Sequence, residues 1–182
     1  MNYIQTEIEG VWLIEPKVYE DNRGYFFESF SKKDFERHIG SVNFVQENES
    51  KSTFGVLRGL HFQKGEYSQA KLVRVVTGEV LDVAVDLRRS SVTFGQHISM
   101  VLSAENKRQL FIPRGFAHGY LVLSDEAVFT YKVDNYYASE SEASILFSDE
   151  DLKIDWPIAE FNLILSEKDK KAPLFKEVEY FS

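Results

Sequence analysis

Cysteine is absent from the 182-residue chain, so disulfide bonds and thiolate chemistry are both excluded. No apolar run approaches the roughly 18 residues that a membrane-spanning helix needs. The first segment, residues 1–16, contains Glu7, Glu9 and Glu15 instead of a basic stretch followed by an apolar one, so it does not predict a secretory signal. We therefore expect a cytoplasmic protein with no membrane partner.

Positive charge is also scarce, because 21 Lys and Arg face 29 Asp and Glu, for a formal net charge of −8 at pH 7. A general nucleic-acid binder carries a basic stripe, so we expect no nucleic-acid partner. An anionic small substrate is compatible with this balance, since a pocket needs only a few local Arg and Lys.

Aromatic residues are abundant, with 15 Phe and nine Tyr, and they favour strands. Alternation of apolar and polar residues predicts strands over most of the chain: Val11–Glu15, Tyr25–Phe30, Asn43–Ser50, His97–Leu102, Gln109–Ile112, Gly119–Leu123, Ala127–Val133 and Ile145–Phe147. Two further alternating runs, Lys71–Val76 and Val80–Leu87, flank a Thr-Gly-Glu turn signal. They predict a β-hairpin.

Helix signals are few. Ser31 with Asp34 predicts a capped short helix that ends near Gly40, and Ser166 with Asp169 predicts a second one. Many short strands with glycine turns are typical of an all-β sandwich or jelly-roll barrel. We expect one domain over residues 1–182, with a short helical C-terminal region.

Arg58 and His61 lie three residues apart in an apolar, strand-like segment. Strict alternation places them on opposite faces of a strand. A bulge or bend at Gly59 would let both reach one cavity. The alternative is a core histidine and an unrelated surface arginine.

His118 follows a Pro-Gly turn in Ile112–Tyr120, a pattern that resembles the second motif of the cupin jelly-roll superfamily, where the histidine binds a metal. The first cupin motif needs a second histidine and a glutamate, but His61 is followed by Phe62 and Gln63. Two histidines without a carboxylate make a poor Zn or Fe site. The pattern therefore predicts a cupin-like barrel without a metal.

The remaining chemistry is narrow. The sequence has no glycine-rich phosphate loop, no dinucleotide fingerprint and no serine-hydrolase elbow, which argues against phosphoryl transfer, redox chemistry and serine hydrolysis. What is left is acid–base chemistry by His, Tyr, Lys and carboxylates.

Short motifs spread over nearly the whole chain reduce the number of possible functions further. They occupy residues 15–17, 21–29, 44–48, 56–63, 71–74, 78–80, 102–107, 115–119, 131–132, 135–137, 166–169 and 172–174. In this order, they resemble the dTDP-4-dehydrorhamnose 3,5-epimerase family. The motifs together are far more specific than any one of them.

The resemblance implies a role for four residues. His61 matches the catalytic base, and Asp169 matches the carboxylate that pairs with this histidine. Tyr131 matches the acid on the opposite face of the sugar. Lys71 matches the cation beside the ketone oxygen, where enolate charge develops. Taken singly, Asp169, Tyr131 and Lys71 each have a plainer interpretation, as a helix first-turn aspartate, a half-buried strand tyrosine and a solvated lysine.

The resemblance also implies a set of substrate-contacting residues, among which Tyr137 stacks on the nucleotide base. They are Arg23, Glu28, Gln46, Asn48, Arg58, His118, Tyr137, Glu142 and Lys168. Arg58 and Arg23 suit a diphosphate, because a guanidinium matches phosphate geometry. Arg114 departs from the family pattern, which has an acidic residue there. We expect this change, in a turn, to affect the chemistry little.

The sequence therefore predicts a cofactor-independent epimerase that inverts C3 and C5 of a dTDP-linked 4-keto-6-deoxy sugar, on the route to dTDP-L-rhamnose. The family also implies a homodimer in which an N-terminal segment reaches the neighbouring pocket. Alternatives are a mono-epimerase acting at C3 or C5 alone, and a non-catalytic sugar-nucleotide-binding module. A ketoisomerase of the same fold and a metal-dependent cupin dioxygenase fit less well.

Overall fold

The computed structural model describes the backbone of residues 1–182 and every side chain except that of Phe161. Over these residues the elements, in chain order, are β1 (Asn2–Gln5), β2 (Trp12–Glu15), β3 (Tyr19–Asp21), β4 (Gly24–Phe26), α1 (Lys32–His38), β5 (Gln46–Thr53), β6 (Leu57–Gln63), β7 (Lys71–Thr77), β8 (Glu79–Asp86), β9 (His97–Ser103), β10 (Gln109–Ile112), β11 (Phe116–Val122), β12 (Glu126–Val133), β13 (Glu142–Ser144) and α2 (Glu167–Lys170).

Two antiparallel sheets form the body of the molecule. The first has the order β1-β2-β10-β7-β12-β5, and the second has the order β13-β6-β11-β8-β9. A separate two-stranded hairpin, β3-β4, belongs to neither sheet. The predicted all-β, cupin-like jelly roll with a few short helices is confirmed.

The core lies between the two sheets. Val73 and Val75 of β7 belong to the same buried cluster as Val80 and Ala84 of β8, although β7 and β8 lie in different sheets. Each buried valine contributes about 1.5–3 kcal/mol relative to an exposed one. Aromatic residues belong to the same core, in which the rings of Tyr120 and Phe129 stack with their centroids 4.2 Å apart.

Strand β8 is buried on both faces. Its alternate residues Val83 and Val85 point away from the sandwich interior and belong to a second buried cluster with Leu152. Phe175 and Phe181 pack against that cluster. The C-terminal segment therefore covers the outer face of the second sheet and carries α2 back towards β6.

The short helix α1 covers the outer face of the first sheet. Phe35 is 1% exposed and packs edge-on against Phe111 of β10, with the ring centroids 5.1 Å apart. The Asp34 N–H donates to Ser31 Oγ, so the predicted N-cap is confirmed. The second predicted cap is also confirmed, since the Asp169 N–H donates to Ser166 Oγ.

The predicted hairpin of residues 71–76 with 80–87 is wrong, although both strands exist. β7 pairs with β10 and β12, whereas β8 pairs with β11 and β9. Gly78, at a φ of +78°, turns the chain from one sheet into the other, and a Cβ there would lie 2.0 Å from the Glu126 carbonyl oxygen. Both strands face the same core, so apolar and polar residues alternate along them as they would in a hairpin. The two strands nevertheless do not pair with each other.

Three strand predictions differ from the structure. Strand β4 stops at Phe26, so residues 27–30 are irregular, and β5 begins and ends three residues later than the predicted Asn43–Ser50. The predicted strand Ile145–Phe147 does not form, because β13 stops at Ser144. The Ile145 N–H still donates to the Leu60 carbonyl oxygen, which explains the extended pattern there. Among the described residues, no helix has both the length and the apolar character needed to cross a bilayer.

Candidate active site

A β-bulge in β6 orients the predicted Arg–His pair. His61 lies opposite His118 of β11, and Arg58 lies opposite Tyr120, so three steps along β6 match two along β11. The extra residue shifts the alternation by one position between Arg58 and His61. Both therefore line one cavity, and the predicted bulge is confirmed.

Gly59 is the residue that permits this bulge. Its φ is +143°, and a Cβ at this position would lie 2.5 Å from the Cα of Gly119. The two strands approach so closely because neither residue has a side chain. Leu57 and Leu60 on either side belong to buried clusters on the outer face of the sheet.

Three of the four predicted catalytic residues share a cavity of about 360 Å³ at one end of the sandwich interior. Lys71 and Tyr131 come from the first sheet and His61 comes from the second, so the cavity lies between opposite walls. Its lining is Gln46, Asn48, His61, Phe62, Gln63, Gln69, Lys71, Tyr131, Tyr137 and Glu142.

A second cavity, of about 390 Å³, lies on the other side of His61. It contains Arg58, Lys168 and Asp169, and it shares His61 and Glu142 with the first cavity. The two cavities form one cleft that has the histidine at its centre. A substrate with two arms, one of them anionic, fits a cleft of this shape and charge.

His61, which is partly exposed to the cavity, pairs with the buried Asp169 although 108 residues separate them. His61 Nε2 lies 2.5 Å from Asp169 Oδ1, and the Asp169 side chain is only 4% exposed. Burial is the largest influence on the pKa of Asp169 and would raise it, but the hydrogen bond and charge of His61, together with Ser166 and Lys168, outweigh burial and lower the pKa. The carboxylate thus stays ionised and fixes the tautomer with the proton on Nε2, which leaves Nδ1 to accept a proton.

Lys71 is the cation of the first cavity. Burial lowers its pKa to about 8, while the negative charges of Asp82 and then Glu142 oppose that shift. At neutral pH the ammonium group is therefore still largely protonated. A cation with little water around it stabilises a developing oxyanion more strongly than one in bulk solvent.

Tyr131 lies on β12, opposite Asn48 of β5. Burial raises the pKa of its hydroxyl and Tyr120 raises it further, while Arg58 and Asn48 act against the shift. The phenol keeps its proton throughout the physiological range and is therefore available as a proton donor.

Glu142 joins the two cavities through a chain of polar contacts. It accepts a 2.9 Å hydrogen bond from Tyr137 Oη, and it lies 2.6 Å from Lys168 Nζ. Burial raises the pKa of Glu142, but the hydrogen bonds from Lys168 and Tyr137 lower it overall. On the opposite wall, the Gln46 amide donates to Asn48 Oδ1 at 2.8 Å.

Three predicted substrate residues, Arg23, Glu28 and His118, line neither cavity of the cleft. Arg23 sits in the turn of the β3-β4 hairpin and forms a 2.6 Å ion pair with the neighbouring Asp21. Glu28, shortly after the hairpin, is exposed to solvent. A concavity of about 500 Å³ lies against the hairpin, but residues 19–26 alone line it, and it contains none of the predicted catalytic residues.

His118 is buried behind His61 and lines neither cavity. Its Nε2 lies 2.9 Å from Oδ2 of Asp82, which is fully buried. Burial lowers the pKa of His118, and Asp82 opposes that shift. The other carboxylate oxygen of Asp82 has no hydrogen-bond partner. A carboxylate this close to Lys71 and His118 was not predicted, although an aspartate in the apolar strand β8 is a signal of such a role.

Gln63 and Gln69 also line the first cavity without having been predicted, because their main-chain partners lie in distant loops. Arg114, the departure from the family pattern, pairs with Asp134 at 2.8 Å. Asp134 in turn accepts the Ala70 N–H, so Arg114 fastens the start of the loop that carries Tyr137.

The two histidines of the cupin-like motifs each bind a carboxylate, in the pairs described above. Within the part of the chain that the structure describes, no three His, Cys, Asp or Glu side chains are grouped as a metal site requires. The cleft brings together a histidine paired with a carboxylate, a tyrosine hydroxyl and a lysine ammonium, which are groups that can exchange protons.

Comparison with known proteins places the chain in a family. A family model described as dTDP-4-dehydrorhamnose 3,5-epimerase matches residues 5–177. An enzyme of that name from Shigella flexneri is 57% identical over 182 residues, which cover 100% of this chain and 99% of the relative.

Two solved structures are similar over nearly the whole chain. A Legionella pneumophila dTDP-6-deoxy-D-glucose-3,5-epimerase in complex with dTDP-4-keto-L-rhamnose superposes with a TM-score of 0.94 and 52% identity, over 98% of this chain and 94% of that one. A 3′-monoepimerase from Streptomyces bikiniensis in complex with dTDP-quinovose has a TM-score of 0.87 and 35% identity, over 93% and 85%.

Proposed function

We propose, because the chain belongs to the dTDP-4-dehydrorhamnose 3,5-epimerase family, that it converts dTDP-4-dehydro-6-deoxy-D-glucose into dTDP-4-dehydro-L-rhamnose. This reaction inverts C3 and C5 of the sugar and belongs to dTDP-L-rhamnose biosynthesis. The observation that carries the proposal is the His61–Asp169 pair, whose histidine lines one cavity with Lys71 and Tyr131.

The first step is proton abstraction beside the C4 ketone. His61, with Nε2–H held by Asp169, accepts the proton at Nδ1 as the C–H bond breaks. The electron pair moves to the C4 oxygen and forms an enolate. Lys71 stabilises that oxygen with its ammonium charge, and Asp169 stabilises the resulting imidazolium.

Reprotonation from the other face completes the inversion. Tyr131 donates its hydroxyl proton to the enolate carbon, and the ketone re-forms. His61 and Tyr131 come from opposite sheets. This arrangement supports delivery of the proton to the face of the sugar ring opposite the one from which His61 removes it. Proton exchange with solvent resets both groups, and the cycle repeats at the second carbon. The whole sequence needs only acid–base groups, so we propose no cofactor.

The nucleotide arm of the substrate accounts for the other polar residues. In the proposal, Tyr137 stacks on the thymine base, and Arg58 and Lys168 bind the diphosphate. A guanidinium and an ammonium group suit phosphate oxygens, and aromatic faces suit bases. Gln46, Asn48 and Glu142 supply amide and carboxylate groups for substrate hydroxyls in the same cleft.

The test is hydrogen exchange at the two carbons. The protein is incubated with dTDP-4-dehydro-6-deoxy-D-glucose in D₂O, and the C3 and C5 proton signals are followed by NMR. Loss of both signals, with an L-sugar trapped by a downstream reductase, supports the double epimerase. Loss of neither signal refutes it. If the protein is then still stabilised by dTDP in a thermal shift, it is a sugar-nucleotide-binding module.

A mono-epimerase is the second candidate, because the 3′-monoepimerase of Streptomyces bikiniensis has the same fold. The 3,5-epimerases match this chain at higher identity, 57% against 35%. In the exchange experiment, a mono-epimerase exchanges one carbon only. Exchange at C3 alone or C5 alone would replace double inversion as the proposed function.

A homodimer is part of the same proposal, together with a cytoplasmic location. Tyr19, Tyr25 and Phe26 on the β3-β4 hairpin are 56%, 58% and 71% exposed, which is unusual for large aromatic side chains. Arg23 lies on this hairpin, outside its own cleft. We propose that the hairpin docks on a second copy of the chain and brings Arg23 to the diphosphate there.

A further inference from the structure

Gln63, at the end of β6, is a buried amide that the proposed chemistry does not use. It is 5% exposed, and its side chain forms three hydrogen bonds to main-chain groups of two loops. Its Oε1 accepts the Ala138 N–H at 2.7 Å. Its Nε2 donates to the carbonyl oxygens of Tyr67 at 2.7 Å and Tyr136 at 3.1 Å.

Two of these bonds fall on either side of one residue. The carbonyl of Tyr136 and the N–H of Ala138 flank Tyr137, which itself has no main-chain bond to Gln63. The ring of Tyr137 is 58% exposed and lines the first cavity. A single planar amide therefore fixes the backbone before and after an aromatic side chain that packing alone does not hold.

The third bond, to Tyr67, ties this loop to the turn that follows β6. Neighbouring amides reinforce the same connection: Gln69 Nε2 donates to the Asn135 carbonyl oxygen at 2.8 Å, and Asn135 Nδ2 donates to the Glu66 carbonyl oxygen at 2.9 Å. Both loops border the cavity. The relative position of the two loops thus depends on the hydrogen bonds of three amide side chains, those of Gln63, Gln69 and Asn135.

We infer that Gln63 is a positioning residue that holds the Tyr137 ring in the orientation that receives the nucleotide base. The inference rests on the proposed function, in which Tyr137 stacks on thymine. In this inference Gln63 acts through Tyr137 and takes no part in proton transfer, so its effect is on affinity. A pre-oriented ring binds a base without the cost of ordering the loop.

The substitution Gln63→Met keeps the length of the side chain and removes all three bonds. We expect it to raise the KM for the sugar nucleotide and the Kd for dTDP about tenfold, in line with the energy of base–aromatic stacking, and to change kcat by less than about twofold. NMR exchange rates give KM and kcat, and titration calorimetry with dTDP gives Kd.

Asn106 provides a matched control. Its amide also pins a turn with three bonds, from the Ser103 and Arg108 N–H groups at 3.1 and 2.9 Å and to the Val101 carbonyl oxygen at 3.0 Å, and it lines neither cavity. Asn106→Leu should lower thermal stability and leave Kd unchanged. An equal rise of Kd in both variants would reduce Gln63 to general structural support and overturn the inference.

Tyr137→Ala closes a double-mutant cycle. Once the ring is gone, Gln63→Met should weaken dTDP binding no further. Additive losses, an unchanged Kd in the single Gln63 variant, or a fall in kcat at constant KM would each overturn the inference. If Gln63→Met does not fold, Gln63→Glu keeps the Ala138 acceptor, loses both donors and carries the same expectation.

The two proposals fail in different ways. If the wild-type protein exchanges neither C3 nor C5 but binds dTDP, the epimerase proposal is refuted while the Kd cycle still decides the role of Gln63. If exchange proceeds and Tyr137→Ala leaves Kd unchanged, the epimerase stands and the positioning role is refuted.

Discussion

At the scale of single residues, the proposed chemistry depends first on His61. His61→Asn keeps a polar side chain but removes the base, so exchange at both C3 and C5 should fall about 10²–10⁴-fold. The D₂O exchange assay measures this. His38→Asn is the control, because His38 is an exposed residue of α1 whose ring stacks on Tyr3. Substantial turnover by the His61 variant would exclude its role as the base.

The proposed role of Lys71 predicts an upper pH limit for activity. Its ammonium group has a pKa of about 8, so the fraction that is charged is near complete at pH 6 and falls as the pH rises through 8. Since the charged form stabilises the enolate, kcat should fall above about pH 8. Lys71→Arg keeps the charge at high pH because a guanidinium group stays protonated throughout this range. The alkaline fall should disappear in that variant, even if its kcat is lower.

An alkaline limb that persists unchanged in Lys71→Arg would assign the titration to another group. Tyr131 is the nearest alternative in the cavity, but burial raises the pKa of its hydroxyl away from this range. Asp169 does not titrate there either, since its pKa is lowered.

At the scale of elements, the bulge in β6 makes a prediction about stability. Gly59→Ala would place a Cβ 2.5 Å from the Cα of Gly119, in a backbone with a φ of +143°. Gly40→Ala is a matched control, since Gly40 has a φ of +128° and nothing within 4 Å of the added Cβ. Backbone strain costs about 1–3 kcal/mol in both variants, and the close approach adds to it only at Gly59.

Calorimetric melting temperatures test this difference. A loss of 1 kcal/mol lowers Tm by about 2–4 °C in a domain of this size, so Gly59→Ala should melt several degrees below Gly40→Ala. Gly59→Ala should also lose activity, because the bulge is what lets the side chains of Arg58 and His61 point into the same cleft. Equal melting temperatures would mean that β6 and β11 can separate at little cost.

Element types were more predictable than element partners. The alternation of β2, β9, β10 and β12 identified these strands, and Ser31 and Ser166 identified both helix starts, because such signals are local. The pairing of β7 with β8 was wrong, since a turn at Gly78 is compatible with a hairpin and with a change of sheet. Gln63 and Asp82 were missed for the same reason: their partners lie far away in the sequence.

At the scale of the whole molecule, the proposed dimer predicts complementation between inactive variants. In this dimer, Arg23→Ala damages the active site of the neighbouring subunit, because the β3-β4 hairpin docks there. His61→Asn removes the base from the subunit's own active site. If the hairpin acts on the neighbouring copy, a mixture that exchanges subunits should recover about a quarter of wild-type activity, since half of the dimers are mixed and each has one intact site. Analytical ultracentrifugation checks the assembly.

If Arg23 served its own cleft, a mixed dimer would contain two damaged sites and the mixture would stay inactive. A monomer in the ultracentrifuge would also contradict the proposal. Refolding the two variants together ensures that subunits mix, and each variant refolded alone is the control.

The cleft is also the unfilled end of the hydrophobic core. Along β7, Lys71 continues the inward row of Val73 and Val75, and along β12, Tyr131 continues the row of Ala127 and Phe129. Apolar side chains at these positions would extend the core and stabilise the fold. Selection for stability alone would therefore close the cleft within a few substitutions. A polar, open end is a record of selection for catalysis, and a duplicated gene released from that selection would be expected to lose it first.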